Sequence, residues 1–324
     1  MSSQSNKGWI VTFAGTGINL ALGVLYAWSV ISKALTKEWG WTASMASLPY
    51  AVACGVFAIA MVFAGRAQDK LGPKIVASVG GALTGIGMIV ASFATKDSNL
   101  LMIIGFGVLA GTGIGLGYAS ATPPAVKWFP PQKKGLITGI VVSGFGLASV
   151  YIAPTTNALL KSVGINSTFM YLGIAFFIVA VLLSQFLVNP PAGYVPAGMP
   201  AATAASKSSV KKHDYDWHEM MKTPQFYLLW LMFGFGSFAG LMMISSMAKI
   251  AAQQLPGINL GFILVALLAI GNAGGRIIAG LLSDKMGRMN TVVLIAIGQA
   301  VMMFFFKYFT TAPILVLGAI MVGA

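Results

Sequence analysis

Charged residues are scarce in this chain of 324 residues. Asp, Glu, Lys and Arg together make up 8% of it, whereas about 25% is usual in a soluble globular domain. Hydrophobic residues make up 57%, and the mean hydropathy is +0.84. So little polar material cannot cover a surface that faces water. The composition therefore excludes an ordinary soluble domain and predicts an integral membrane protein in contact with lipid.

Cysteine, histidine and carboxylates are also few. Cys54 has no second cysteine to pair with, so no intramolecular disulfide can form. The acidic residues and both histidines fall in predicted loops or at the ends of predicted spans. An enzyme within the membrane would need a nucleophile with a base, or a set of metal ligands, inside the spans. We therefore expect no enzymatic activity, no metal site and no bound cofactor.

Long apolar stretches fill most of the chain. A helix of about 20 apolar residues is long enough to cross the hydrocarbon core of a bilayer. We predict nine complete spans and a tenth that is cut short by the last residue. They lie at 9–31, 43–64, 75–95, 99–121, 135–160, 168–188, 225–248, 259–282, 290–309 and from 313 onward.

A polar segment divides these spans into two groups. We predict an amino-terminal six-helix bundle at 1–188, a cytoplasmic linker with a short surface helix at 189–222, and a second bundle at 223–324. Thr223 and Pro224 suit a helix start, as a capping hydroxyl followed by a proline whose missing N–H is not needed in the first turn. The expected fold class is an all-α membrane protein.

The positions of the basic residues predict the orientation of the chain. With the amino terminus in the cytoplasm, about twice as many Lys and Arg lie on the cytoplasmic side as on the other side, as the positive-inside rule requires. The net charge of +13 therefore needs no nucleic acid to explain it. The cytoplasmic group is Lys7, Arg66, Lys70, Lys74, Lys127, Lys133, Lys134, Lys207, Lys211, Lys212, Lys222, Lys285 and Arg288, and the other group is Lys33, Lys37, Lys96, Lys161, Lys249 and Lys307.

One loop motif occurs twice, each time after the second span of a bundle. Residues 65–74 read GRAQDKLGPK and residues 280–288 read GLLSDKMGR. Both resemble the G-x-x-x-D-[RK]-x-G-x-[RK] loop of the major facilitator superfamily, although the last basic residue of the second copy stands one place early. The resemblance implies two pseudo-symmetric six-helix bundles, of which the second is incomplete here, so we expect further helices, to about twelve, beyond the last residue.

The charged residues of the two motif copies are candidates for conformational gating. In each copy the carboxylate can pair with basic groups or with a helix terminus of the other bundle in one state of the transporter and not in the other. The gating candidates are Asp69 and Lys70 in the first copy, and Asp284, Lys285 and Arg288 in the second. Two ordinary charged turns that obey the positive-inside rule remain the alternative.

Arg276 is the charged residue that lies well inside a predicted span. An ionisable side chain there is costly and is by default a functional hypothesis. Its planar guanidinium suits a carboxylate through two parallel hydrogen bonds, so an anionic substrate is expected. Asn272 lies one turn earlier on the same helix face and can donate to that carboxylate or to a neighbouring hydroxyl. Bonding to helix carbonyls is the alternative for Arg276, and helix–helix packing the alternative for Asn272.

Four further stretches narrow the resemblance to the oxalate/formate antiporter and monocarboxylate transporter branch of the superfamily. They are GVLYAWS at 23–29, KWFPPQKKG at 127–135, MKTPQF at 221–226, and NAGGR at 272–276 leading into SDK at 283–285. The resemblance is greatest to bacterial lactate-carrying monocarboxylate transporter homologues.

The narrower resemblance implies a substrate site. The binding arginine of the branch falls on Arg276, and its cavity aromatics fall on Tyr26, Tyr118 and Phe145, the last in place of a tyrosine. Animal monocarboxylate transporters have an aspartate where this chain has Asn272, so their way of carrying a proton does not transfer directly.

The expected function is secondary transport of small monocarboxylates of the lactate and pyruvate type, coupled to a proton, by alternating access with Arg276 binding the substrate carboxylate. Exchange of oxalate for formate is the alternative. The expected location is the bacterial inner membrane, with lipid and the small carboxylate as partners and the monomer as the functional unit.

Overall fold

The first bundle is built from helices α1 to α7. The computed structural model describes residues 2–196, 215–256 and 261–324, and is almost entirely helical over those ranges. The elements of the first bundle are α1 (Ser2–Leu22), a 3₁₀ segment (Gly23–Ala27), α2 (Trp28–Glu38), α3 (Ala43–Leu71), α4 (Pro73–Ala91), α5 (Leu100–Met102), a π-helical segment (Ile103–Ala110), α6 (Gly111–Lys127), a 3₁₀ turn (Pro131–Lys133) and α7 (Lys134–Ser184).

The second bundle and the helix that precedes it follow. They comprise α8 (Trp217–Met220), α9 (Pro224–Gln254), α10 (Gly261–Met286), α11 (Arg288–Phe305), a 3₁₀ turn (Phe306–Tyr308) and α12 (Ala312–Gly323). Helices occupy all ten places where the sequence predicts spans. Seven helical segments within the described ranges are long and apolar enough to cross a membrane. One of them, Pro131–Ser184, holds two predicted spans, because the backbone leaves helical geometry at Gly164 (φ 78°, ψ 178°).

Hydrogen bonds between loops support the alternating course of the helices. The indole N–H of Trp41, between the first and second spans, donates to the carbonyl of Lys96, between the third and fourth, at 2.7 Å. The indole N–H of Trp128, after the fourth span, donates to the carbonyl of Val188, after the sixth, at 2.9 Å. Loops that the alternation places on the same side of the membrane therefore contact one another.

Glycine lets the helices of the first bundle approach closely. A Cβ atom at Gly80 of α4 would collide with the backbone of Gly113 and Gly117 of α6, and one at Gly113 would collide with the backbone of Thr84. Because lipid gives no hydrophobic drive for helix association, such close packing is what holds membrane helices together. The glycine-rich run at 105–117 serves this purpose.

Part of the predicted linker lies in the described ranges. It contains α8, whose capping box is formed by Asp216 and Glu219. The backbone N–H of Trp217 and a hydrogen bond to His218 lower the pKa of the Asp216 carboxyl. Residues 197–214, which include Lys207, Lys211, Lys212, His213 and Asp214, lie outside the described residues.

The predicted cap of the seventh span is wrong in one respect. Helix α9 begins at Pro224, as expected. The hydroxyl of Thr223, however, donates to the carbonyl of Met220 at 2.7 Å. The hydroxyl that was predicted to cap the next helix thus bonds to the preceding turn at the end of α8.

The two motif copies share one backbone conformation. Gly72 separates α3 from α4 and Gly287 separates α10 from α11, with φ 85° and ψ 158° at the first and φ 85° and ψ 157° at the second. Residues other than glycine are essentially absent from this region of backbone space. The repeated glycine is therefore required by the turn itself, and the end of the molecule that carries both turns is called the motif end below.

We expect Gly287→Ala to lower stability by about 1–3 kcal/mol, the usual cost of a strained backbone position. Gly298→Ala is the matched control, because Gly298 lies inside α11 with nothing within 4 Å of an added Cβ, and alanine is favoured over glycine in a helix by about 0.5–1 kcal/mol. Thermal unfolding in detergent, followed by tryptophan fluorescence, measures both variants. Equal melting temperatures would contradict the prediction.

Candidate functional site

Arg276 lies half-buried in α10 and faces the amino-terminal half of α7. Its Nη1 donates to the carbonyl of Val142 at 3.2 Å, and its Nε donates to Oδ1 of Asn272 at 3.1 Å. The hydroxyl of Tyr26 interacts with the same guanidinium. Within the described ranges, no Asp or Glu lies within 4 Å of Arg276 to form an ion pair. Within the part of the chain that the structure describes, carbonyl oxygens and a hydroxyl contact the guanidinium, and no carboxylate does.

Asn272 uses both ends of its amide within the protein. Its Oδ1 accepts from Arg276, and its Nδ2 donates to the carbonyl of Gly323 at 3.3 Å. In this arrangement Asn272 orients the guanidinium. Donation from Asn272 to a substrate stays a prediction, and it would require the bond to Gly323 to be given up.

The three predicted cavity aromatics lie together, next to Arg276. The ring centroids of Tyr26 and Phe145 are 5.3 Å apart, and those of Tyr118 and Phe145 are 5.1 Å apart. Phe57 completes the cluster at 5.8 Å from Tyr118 and 6.3 Å from Phe145. These four residues are called the aromatic cluster below.

Sequence reasoning missed Phe57, although a signal was available. Tyr50, Cys54 and Phe57 have the spacing i, i+4 and i+7, which places them on one face of α3. Cys54 interacts with the hydroxyl of Tyr50 and with Tyr26. This face of α3 therefore points towards the same site as Tyr26.

Two cavities adjoin Arg276 and Asn272. The larger, about 450 Å³, lies between α7 and α10 and reaches from Arg276 to the motif end, past Lys134, Asp284 and Arg288. The smaller, about 30 Å³, lies between Tyr26 and Asn272. A cavity of the smaller size holds a water molecule or two. Of these two cavities, the one on the side of Arg276 that faces the motif end has space for a solute of several heavy atoms.

Asp284 joins the two bundles at the motif end. Its carboxylate accepts from the backbone N–H groups of Gly135 and Leu136, at 2.8 Å and 2.9 Å. These are free N–H groups in the first turn of α7, where the helix dipole also favours a negative charge. The contact is of the kind expected from the motif, a carboxylate of one bundle on a helix terminus of the other.

The other gating candidates lack such a contact among the described residues. Asp69 is exposed and has no hydrogen bond or ion pair with a described residue. Lys70, Lys285 and Arg288 are exposed, and Arg288 lines the larger cavity. The two motif copies therefore have the same backbone turn but different carboxylate environments, and the gating roles stay predictions.

Helices α7 and α10 touch through their backbones. A Cβ atom at Gly139 would collide with the backbone of Arg276 and Ile277, and one at Gly280 would collide with the backbone of Gly135. The same closeness brings Arg276 within reach of the Val142 carbonyl and Asp284 within reach of the start of α7. Glycine on both helices thus sets the geometry of the site.

A comparison with protein families matches residues 9–324 to the Major Facilitator Superfamily. The chain belongs to the major facilitator superfamily. Its fold agrees, since it superimposes on the proton:xylose symporter XylE of Escherichia coli with a TM-score of 0.66 at 14% identity, over 99% of this chain and 79% of that one. The two-bundle architecture expected from the repeated motif is confirmed.

Curated relatives resemble this chain over most of its length. The uncharacterized transporter YhjX of Escherichia coli is 29% identical over 94% of this chain and 74% of its own length. The oxalate:formate antiporter of Oxalobacter formigenes is 27% identical over 90% of this chain and 66% of its own. Human monocarboxylate transporter 11 is 28% identical over 86% of this chain and 56% of its own length. The predicted superfamily is confirmed, and the relatives include transporters of the branch that the sequence resembles. The chain spans between about half and three quarters of the length of these relatives.

We expect Asp284→Asn to weaken the contact between the bundles, because an amide can accept through one oxygen where the carboxylate accepts through two. A charge-assisted hydrogen bond typically contributes about 1.5–3 kcal/mol. Asp69→Asn is the matched control from the first motif copy, and we expect it to leave stability unchanged. Thermal unfolding in detergent compares the two, and an equal loss in both variants would contradict a special role for Asp284 in holding the bundles together.

Proposed function

We propose that this protein is a secondary transporter of small monocarboxylates of the lactate and pyruvate type, working by alternating access with Arg276 as the carboxylate-binding residue. The observation that carries the proposal is a guanidinium inside a membrane helix with no carboxylate of the described residues beside it. A cation in that position is costly unless it has a partner. A substrate carboxylate is such a partner, and it would bind in place of the Val142 carbonyl.

The aromatic cluster supports a small substrate with an apolar body. Tyr26 contacts both the guanidinium and the ring of Phe145, so it stands between the charged and the apolar parts of the site. Aromatic walls hold a short hydrocarbon chain, while a hydroxyl orients an oxygen beside the carboxylate. Lactate and pyruvate combine these two features in one molecule.

The oxalate:formate antiporter and monocarboxylate transporter 11 support the same substrate class by their names. We propose a proton as the coupling ion. No carboxylate or histidine of the described ranges lies in the middle of a span, so the proton is proposed to travel with the substrate. We further propose that the protein works as a monomer in the bacterial inner membrane, with the motif end in the cytoplasm, where the basic loops of the sequence place it.

Anion exchange is a second candidate function, and the surroundings of Arg276 favour it. Without a substrate the site keeps a positive charge, and a charged side chain costs about 3 kcal/mol at the centre of a span on insertion scales. A bound anion would cancel this charge. The loaded transporter would then change state more easily than the empty one, which is the condition for one-for-one exchange.

Uptake of radiolabelled L-lactate into proteoliposomes tests the proposal. With the inside pH above the outside pH, we expect uptake that falls when the gradient is removed and that is lost in Arg276→Ala, with empty liposomes as the control. Arg276→Lys keeps the charge without the planar fork and should recover only part of the rate. Oxalate uptake into formate-loaded vesicles without any lactate flux would favour the exchanger, and full activity of Arg276→Ala would refute the proposed site.

We expect Asn272→Asp to raise the KM for lactate at neutral pH by about tenfold or more, because the new carboxylate would neutralise Arg276 and compete with the substrate. The neighbouring guanidinium lowers the pKa of such a carboxyl, so uptake should recover only as the pH falls well into the acidic range. Asn272→Leu is the control variant: it removes both hydrogen bonds of the Asn272 amide, to Arg276 and to Gly323, and adds no charge. Its loss should not reverse on acidification, and identical pH profiles for the two variants would contradict the prediction.

A further inference from the structure

The larger cavity carries more positive charge than the carboxylate site needs. Along its walls lie the cations Lys134, Arg276 and Arg288, with Asp284 as the one carboxylate of the lining. The carboxylate of Asp284 already accepts two backbone N–H groups. The remaining positive charge therefore faces an open volume of about 450 Å³.

Lys134 and Arg288 are free to act on a solute. Both side chains are exposed at the motif end. Among the residues that the structure describes, neither forms an ion pair within 4 Å. A basic residue that only satisfies the positive-inside rule has no need to border a cavity, yet Lys134 at the start of α7 and Arg288 at the start of α11 both line it.

Polar side chains lie on both walls of the cavity. Lys134, Thr138 and Val142 are spaced four residues apart, so they lie on one face of α7. Opposite them, Ser283 and Arg276 lie two turns apart on α10. Two hydroxyl groups, of Thr138 and Ser283, thus lie on these walls together with the cations at the rim and the guanidinium at the inner end.

We propose that Lys134 and Arg288, with the hydroxyls of Thr138 and Ser283, form an anion-capture site that binds small carboxylates before they reach Arg276. The proposal rests on the proposed function and extends it to the approach of the substrate. A concave surface of one charge sign concentrates oppositely charged solutes, and the effect decreases with salt. The substrate binds there transiently, through charge and hydroxyl groups, without the aromatic contacts of the inner site.

The capture site predicts an asymmetry between the two sides of the membrane. Lys134→Gln should raise the KM for substrate that enters from the motif end, and should leave the KM for entry from the opposite end unchanged. Arg276→Ala should abolish transport in both directions. Lys133→Gln is the matched control, since Lys133 is an exposed neighbour of Lys134 that does not line the cavity.

Cysteine modification tests the site without relying on transport. In a Cys54→Ser background, Thr138→Cys places a thiol on the wall between the rim and Arg276. We measure its rates of reaction with an anionic sulfonatoethyl methanethiosulfonate and with the cationic trimethylammonioethyl reagent. The ratio of anionic to cationic rate, relative to a small free thiol, should be about tenfold in favour of the anion at low salt. Ser283→Cys repeats the measurement on the opposite wall.

The decisive comparison adds Lys134→Gln and Arg288→Gln to each cysteine variant. The preference for the anionic reagent should disappear in the double substitution and in 1 M salt, and should survive Lys133→Gln. An unchanged preference, an equal loss in Lys133→Gln, or unreactive thiols on both walls would overturn the proposal. Lactate flux of the parent protein, measured in the same preparation, tests the proposed function separately, because the thiol rates do not depend on it.

Discussion

The backbone contact between α7 and α10 is the constraint on which the rest of the site depends. Glycine at 135 and 139 on one helix and at 280 on the other allows the two backbones to touch. At this separation the short side chain of Asp284 reaches the first turn of α7, and Arg276 reaches a carbonyl two turns further along. A side chain inserted anywhere along the contact would separate both pairs together, so the link at the motif end and the carboxylate site share one structural origin.

The two polar links of that contact differ in kind. Asp284 is held by N–H groups that have no partner in their own helix, so its bond satisfies donors that would otherwise lack one. Arg276 instead donates to a carbonyl that already accepts a backbone hydrogen bond within α7. The hydrogen bonds of Asp284 satisfy both partners within the protein. The carbonyl that accepts from Arg276 is readily replaced by a better acceptor. This difference explains why we assign substrate binding to the arginine and bundle contact to the aspartate.

Much of the fold and of the candidate site could be predicted from the sequence, and each wrong or missing prediction has a physical cause. Apolar length located the spans, and the repeated motif located Gly72 and Gly287, because lipid and positive φ each restrict residue choice strongly. The family resemblance predicted three residues of the aromatic cluster. Phe57 belongs to no motif of that family, and only its helical spacing from Tyr50 and Cys54 indicated it. The partners of Asn272 could not be foreseen, since amide bonding depends on helix separations of a few ångströms. The predicted cap at Thr223 was wrong because two adjacent turns compete for its one hydroxyl.

The 3₁₀ segment Gly23–Ala27 lies between two parts of the first span that have different hydrogen-bond partners. A 3₁₀ helix turns about 120° per residue and rises about 2.0 Å, against about 100° and 1.5 Å in an α-helix. Before the segment, Asn19 donates to the carbonyl of Val141 in α7; after it, Trp28 donates to the carbonyl of Ala46 in α3. The five residues turn α2 by about 100° and advance it by about 2.5 Å relative to a continuous α-helix. The first span therefore consists of two helices that are hydrogen-bonded to different neighbours, and Tyr26 lies in the 3₁₀ segment between them.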